Sequence, residues 1–483
     1  MLENYEPKNV FKFFAGISSI PRGSGNEKGI SDYLVDFAKK RNLWVHQDKA
    51  LNVIIKKAGT KGLENSLPVI LQGHMDMVCE KNEDILHDFE KDPIKLVIDG
   101  DIVKADGTTL GADNGTAIAM ALALLDSGDI PHPPLEVLFT TGEEVGLLGA
   151  IEVDGSLFEG KMLINMDSSS EGYFCTTCAG GARADLSFTA EYCDLPAGHI
   201  TKTIKIRGLK GGHSGIDITK ERANSNRLLG RTLKILQSKF DIHFSNINGG
   251  SKENAIPRES QAAISFDGAK LAEVGAAVKQ IEQTLKSEYS KSDEGLEIFM
   301  EDCKEAGKKV FSKQFCRNIL TALLAIPNGV EAMSLIFDDL PETSLNIGVI
   351  TAKENEIVIS SSLRSSVSSR KEMLIDQLTL IAEACGAKIR LHGIYPAWEY
   401  NEKSILREKA MTVYKEMSGK EAVICGTHGG LECGILSEKI SGVDIISFGL
   451  NIHEMHTPNE NMSISSFKRT WEFLQKLLLA LAK

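Results

Sequence analysis

Four segments of this 483-residue chain place His, Asp or Glu directly after an apolar run. His74 and Asp76 follow residues 69–73, and Glu143 and Glu144 follow residues 136–142. Asp167 follows residues 162–166, and His453 and His456 follow residues 444–449. Carboxylates and imidazoles without thiolates suit zinc, cobalt or manganese. On an extended segment His74 and Asp76 point the same way. The carboxylate can then accept the imidazole's second N–H and raise its basicity as a ligand. Glu143 and Glu144 sit side by side in a Gly-flanked turn, where they repel unless cations or protons compensate. One can ligate while the other takes a proton from an attacking water, the division of labour in metal-assisted hydrolysis. Asp113, within residues 111–115, either caps the helix that follows or bridges two cations, and the local sequence leaves both open. Of His453 and His456, in a loop before Pro458, one ligand is expected.

For these side chains to meet, their apolar runs must be strands of one open α/β sheet, beyond whose carboxyl ends ligands gather. The first 185 residues alternate helix and strand as such a sheet requires. Helical patterns cover residues 8–17 and 26–41. Residues 114–125 are Ala-rich and apolar all round, which predicts a helix buried against the sheet. Strands are expected at 51–57, 68–72, 135–140 and 161–166. From about residue 186 to 398 the style changes, and alternating strands separate longer amphipathic helices at 228–239 and 269–286. Within this stretch Lys252-Glu253-Asn254 recurs as Lys353-Glu354-Asn355, which points to a duplicated α+β unit. After Trp398 the α/β style resumes, with a helix at 403–417, a strand at 443–448 and a final helix at 466–481. If that strand joins the first sheet, the expected domains are a catalytic domain in two parts, 1–185 and 399–483, and an insertion, 186–398.

Size and charge narrow the function classes. A chain of this length is too long for one core and should hold about two to three domains. The net charge of −12 argues against nucleic acid and anionic membranes as partners, since both reward basic patches. No apolar run approaches the ~20 residues that span a bilayer, and the first residues carry no secretory pattern. Nine irregularly spaced cysteines suit free thiols in a reducing cytoplasm. Cys175 and Cys178 have zinc or redox spacing, but without a second pair nearby they read as two partly buried thiols.

The order His-x-Asp, Gly-Ala-Asp-Asn-Gly, Gly-Glu-Glu, Asn-Met-Asp and a late His-Thr-Pro resembles the di-zinc exopeptidase family that contains aminoacylase, carboxypeptidase G and several dipeptidases. Residues 20–27, 72–78 and 427–434 are similar to the branch that cleaves aminoacyl-histidine dipeptides. The resemblance implies a mixed-sheet α/β catalytic domain with an inserted α+β lid. It implies two Zn2+ ions, replaceable by Co2+ or Mn2+. Asp113 would bridge them, with His74 and Asp167 on one and Glu144 and His456 on the other. Asp76 would orient His74, and Glu143 would act as general base and then as acid towards the leaving amine. His213 of the lid would stabilise the oxyanion, from the same chain or from a partner in a lid-mediated homodimer. Asn254, Arg364, Gly430 and Glu432 would bind substrate, although Ser362 and the Thr427–Glu432 stretch depart from the commoner family pattern. The implied substrates are dipeptides with a free N-terminus, preferentially Xaa-His such as β-Ala-His. N-acyl amino acids are the alternative.

Overall fold

The computed structural model describes Leu2 and residues 5–304, 307–353 and 355–482. The chain forms two compact units. The first comprises Met1–Cys178, Trp398–Thr427 and Leu431–Lys483; the second comprises Ala179–Ala397 and His428–Gly430.

Unit 1 is built on an eight-stranded sheet. Its strands are β1 (Trp44–Gln47), β2 (Val53–Lys57), β3 (Val69–His74), β4 (Leu135–Thr140), β5 (Met162–Ser168), β6 (Tyr173–Cys178), β7 (Val423–Thr427) and β8 (Asp444–Gly449), in the order β1-β2-β4-β3-β5-β8-β6-β7. The neighbours β4, β3, β5 and β8 run parallel, so their carboxyl ends share one rim. These are the four strands that the ligand-type residues follow in the sequence. β3 and β4 are buried along their whole length, as the central strands of a sheet covered on both faces must be.

Alternation along the strands sorts the two faces. Val69, Leu71, Val137, Phe139 and Ile164 join one core with the helices α1 (Lys8–Ser18), α2 (Lys28–Lys39), α3 (Ala112–Asp126), α4 (Ile405–Ser418) and, beyond α5 (Glu432–Lys439), α6 (Ile464–Leu481). Ile70, Leu138 and Leu163 point the other way and pack with Cys433 and Leu436 of α5. Cys175 and Cys178 are buried thiols in this second core. α3 is the Ala-rich helix expected from its composition, buried from Asn114 to Leu125.

Unit 2 repeats one topology twice. Its first half runs strand His199–Arg207, helix Ser225–Lys239, strands His243–Gly249 and Ser260–Asp267, helix Leu271–Glu288 and strand Glu297–Asp302. Its second half runs strand Gly180–Thr189, helix Lys313–Ala325, strands Pro341–Lys353 and Glu356–Ser365, helix Ser368–Cys385 and strand Lys388–Tyr395. In both halves the strands lie in the order fourth, first, third, second, and Gly249 pairs with Ile350 where the halves meet. The two Lys-Glu-Asn triplets fall near the end of the second strand of each half, Lys252 three residues past Gly249 and Lys353 as the last residue of its strand; Glu354 itself lies outside the described residues. Residues 180–185 belong to unit 2 rather than to the first 185 residues as a block. Strand Gly180–Thr189 pairs along its length with Glu356–Ser365 and Lys388–Tyr395, so it cannot be divided between two sheets. Among the described residues no helix is long and apolar enough to cross a membrane.

Candidate metal centre

The rim of unit 1 gathers the residues that the strands deliver. His74 ends β3 and is 1% exposed. Its Nδ1 lies 3.3 Å from Asp76 Oδ1 and 3.1 Å from the Asp76 carbonyl oxygen. With that nitrogen engaged, Nε2 faces Asp113 Oδ1 at 3.1 Å and Asp167 Oδ1 at 3.6 Å. His456 closes the opposite side, its Nε2 3.2 Å from Asp113 Oδ2 and 3.0 Å from Glu144 Oε1. Asp113 is therefore central, with one carboxylate oxygen towards each imidazole. Its carboxylate does not cap the helix: both oxygens face the imidazoles, and α3 starts without a side-chain cap bond. Of the two late histidines, His456 joins the group, while His453 lies in a two-residue strand and pairs with Asn461.

Asp76 does more than orient His74. Its carboxylate also accepts the backbone N–H groups of Glu143 at 3.0 Å and Glu144 at 3.2 Å, and the Ser24 hydroxyl at 2.8 Å. Burial would raise its pKa, but these donors and His74 outweigh it and pull the group down to about 2. Sequence reasoning missed three supporting residues. Asn114 accepts the His74 N–H and donates to the Met166 carbonyl and to Asp167 Oδ1. Ser24 holds Asp76. Arg22, also buried, donates to the carbonyls of Met75, Asp76 and Gly111. Asn114 stands beside Asp113 in Gly-Ala-Asp-Asn-Gly; the other two come from a distant segment, Arg22 acting on backbone carbonyls and Ser24 on the Asp76 carboxylate.

The site is rich in negative charge. Burial pushes Asp167 up to about 6, and it pushes Glu143 well above the usual carboxylate range, helped by Asp167, Glu432 and Glu144. Asp113 and Glu144 together hold His456 up at about 10. His74 is raised as well, because Asp113, Asp167 and Asp76 outweigh its burial. Glu144 Oε1 is buried and accepts no hydrogen bond, since His456 Nε2 meets it only as an ion pair. Such a group calls for cations, and the donor set fits two divalent ions sharing Asp113. Glu143 lines the same cavity of ≈ 240 Å³ as these ligands. A second group of ligand types in unit 2, Asp185, Glu253 and His392, is already neutralised by Arg390 and Arg183 and forms an ion-pair network.

The remaining expected residues fall in unit 2, apart from Glu432. The two-residue strand Gly212–His213 pairs with Ala255–Ile256, which puts His213 next to the Asn254 loop. Its Nδ1 accepts the N–H groups of Gly215 and Ile216, so the neutral ring carries its proton on Nε2. Burial and Arg364 lower its pKa, keeping it neutral. Arg364 donates to the Tyr395 hydroxyl and the His428 carbonyl. Gly430 lies against the Tyr395 ring, where a Cβ would come within 2.7 Å of Cε2. Glu432 opens α5 in unit 1 and is fully buried, bonded to Gln72 and to the Thr140 hydroxyl. The substrate contact expected of it is replaced by a place in a polar layer beneath β3 and β4, because the first turn of α5 directs it into the sheet. Burial pushes its carboxyl up to about 7.

Comparison with known proteins shows the family. The profile of peptidase family M20/M25/M40 matches residues 70–480. The chain is 37% identical over 478 residues to the cytosol non-specific dipeptidase of Escherichia coli, covering 99% of this chain and 98% of the relative. The crystal structure of aminoacylhistidine dipeptidase from Vibrio alginolyticus superposes with a TM-score of 0.92 at 38% identity, covering 99% of this chain and 98% of that one. An aminopeptidase from Bacillus cereus shares the fold with a TM-score of 0.58 at 14% identity, over 99% of this chain and all of that one.

Proposed function

This chain belongs to peptidase family M20/M25/M40, and from that premise we propose that it is a two-metal dipeptidase acting on substrates with a free amino terminus, Xaa-His such as β-Ala-His among them. The observation that carries the reading is Asp113 set between two imidazoles, each also facing a further carboxylate, with Glu143 beside them. The names of the two relatives that match over nearly the whole chain support the substrate class.

His74, Asp113 and Asp167 would hold one cation, and Asp113, Glu144 and His456 the other. Zinc, with cobalt or manganese able to replace it, would supply Lewis acidity to water and to the scissile carbonyl. Glu143 then takes the proton of the attacking water and returns it to the nitrogen of the leaving amine. Asp76 fixes His74 on one side and the Glu143–Glu144 backbone on the other. To His213, neutral and carrying its proton on Nε2, we assign the oxyanion; to Arg364 and Asn254, the substrate's carboxylate and backbone. Gly430 stays in this reading as a place where the substrate backbone passes close. A cytoplasmic location and a homodimer through unit 2 complete the proposal, and sedimentation of the purified protein tests the dimer.

The test is hydrolysis of β-Ala-His beside its N-acetyl form, in zinc-loaded wild type and Glu143→Gln. Cleavage of the free dipeptide alone is expected, with kcat falling at least ~100-fold in the variant while both metals stay bound. Cleavage of only the acetylated form would move the protein to the deacylases. Wild-type turnover in Glu143→Gln would remove the base assignment.

A further inference from the structure

Four residues beyond His456 lies a carboxylate that no step above uses. Glu460 is 2% exposed, and its two oxygens take four successive backbone N–H groups from the loop that ends in Asp113. Leu110 and Gly111 donate to Oε2 at 2.7 and 2.9 Å; Ala112 and Asp113 donate to Oε1 at 2.8 and 3.2 Å. The loop can aim four donors at one point because Gly111 adopts φ +69°, a left-handed conformation that a side chain would strain. Converging N–H groups of this kind form an anion nest, and a charged acceptor makes each bond stronger than a neutral one. On the other side of the loop, buried Arg22 grips the Gly111 carbonyl together with those of Met75 and Asp76.

The turn between His456 and Glu460 is itself stiff. Thr457 Oγ1 donates to the Glu454 carbonyl at 2.8 Å and accepts the Asn459 N–H at 3.1 Å, and the Glu460 N–H returns to the Thr457 carbonyl. After it, Asn461 pairs with Lys104 in a strand. One short rigid piece therefore carries an imidazole at one end and, at the other, the carboxylate holding the Asp113 backbone. Asp113 and His456 are the two side chains that must keep their spacing for a cation to fit on that side.

We propose that Glu460 is a positioning residue: it clamps the Asp113 loop to the His456 turn, so that this half of the metal centre is assembled before any cation arrives. The inference rests on the two-metal reading above. The groups behind metal ligands typically set affinity by ~10–100-fold, and Glu460 acts on two ligands at once through backbone.

The test titrates metal-free protein with Co2+, following stoichiometry, affinity and the visible ligand-field spectrum, with no peptide present. Glu460→Gln turns one accepting oxygen into an N–H2 group facing N–H donors. It should bind at least one Co2+ ~10-fold or more weakly, with an altered spectrum. Glu460→Asp keeps the charge on a shorter arm and should fall between the variant and wild type; it also carries the test if Glu460→Gln does not fold. Glu143→Gln, the control, should bind two ions as wild type does. If both Glu460 variants bound Co2+ with wild-type affinity and spectrum, whatever their melting temperatures, the clamp would be wrong and the dipeptidase reading untouched. A wild-type protein that bound no Co2+ would overturn both.

Discussion

Two imidazoles hemmed in by carboxylates must hold a positive charge of some kind. In the metal-free protein that charge is protons: His456 is held up at about 10 and His74 is raised well above its usual value. A metal ion needs the neutral ring, so binding must expel those protons. The sign follows. Raising the pH lowers the proton occupancy of the rings, so metal affinity should rise with pH up to and through pH 10, where His456 is half protonated. Calorimetric titration of Zn2+ at pH 7, in buffers of different ionisation enthalpy, should report at least two protons released for two ions bound, one from each ring and any further ones from the raised carboxyls. Release near zero would mean that the rings are neutral beforehand and that the carboxylates are compensated in another way. The residues we assign as ligands stand out in the sequence: His74, Glu144 and Asp167 come one or two residues past an apolar run, Asp113 lies in a Gly-bounded turn, and His456 lies in the loop after β8. Arg22, Ser24 and Glu460 do not, because their partners are mostly backbone groups 50 to 350 residues away, and sequence carries no sign of which carbonyl or N–H a side chain will reach.

What brings Asp113 to His74 is the approach of α3 to β3. Gly73, one residue before His74, is where the two elements come closest. A Cβ there would stand 2.4 Å from Asn114 Oδ1 and 2.6 Å from the Ala117 methyl. Neither neighbour can yield easily, since Asn114 is tied to the His74 N–H, the Met166 carbonyl and Asp167. Gly73→Ala should therefore cost about 1–3 kcal/mol of stability, as overpacking in a filled core does. It should also loosen metal binding by moving Asn114 off two ligands. Urea unfolding in chelator separates the first effect, and Co2+ titration reads the second; a variant with both unchanged would mean that α3 shifts freely. The elements were readable to within a few residues wherever periodicity was strong, as for α1 at Lys8–Ser18 and α6 at Ile464–Leu481. The course of residues 111–114 was not. Glycine and Asp before a buried helix look like an ordinary start, and only the fold reveals that Asp113 is non-helical and turned towards two histidines.

The chain leaves unit 1 after Cys178 and returns at Trp398, and at that point it closes on itself. Cys178 and Trp398 exchange both backbone hydrogen bonds, the N–H of each donating to the other's carbonyl at 3.0 and 3.1 Å. Residues bonded in this way have Cα atoms ~5.5 Å apart, a gap that a turn of about two to four residues spans. The apolar cores respect the same division. One holds unit 2 residues from Ala182 to Cys385, and the other two draw only on unit 1. The change of style near residue 186 made the insertion legible, and the recurring Lys-Glu-Asn made its doubling legible. The exact crossing was hidden because Gly180–Thr189 continues almost directly from β6 without a linker. A chain in which residues 179–397 are replaced by a short Gly-Ser turn should then unfold cooperatively, because no buried side chain of the unit 1 cores is removed. Every ligand and Glu143 remain in it, as do Asp76, Arg22, Asn114 and Glu460, so it should bind two Co2+ with the spectrum of the full chain. His213, Arg364 and Asn254 are gone, so hydrolysis of β-Ala-His should fall below detection. Metal bound without turnover would separate holding the cations, a property of unit 1, from catalysis, which needs the second unit. Residual turnover within tenfold of the full chain would instead place all of the chemistry in unit 1 and leave His213 without its role.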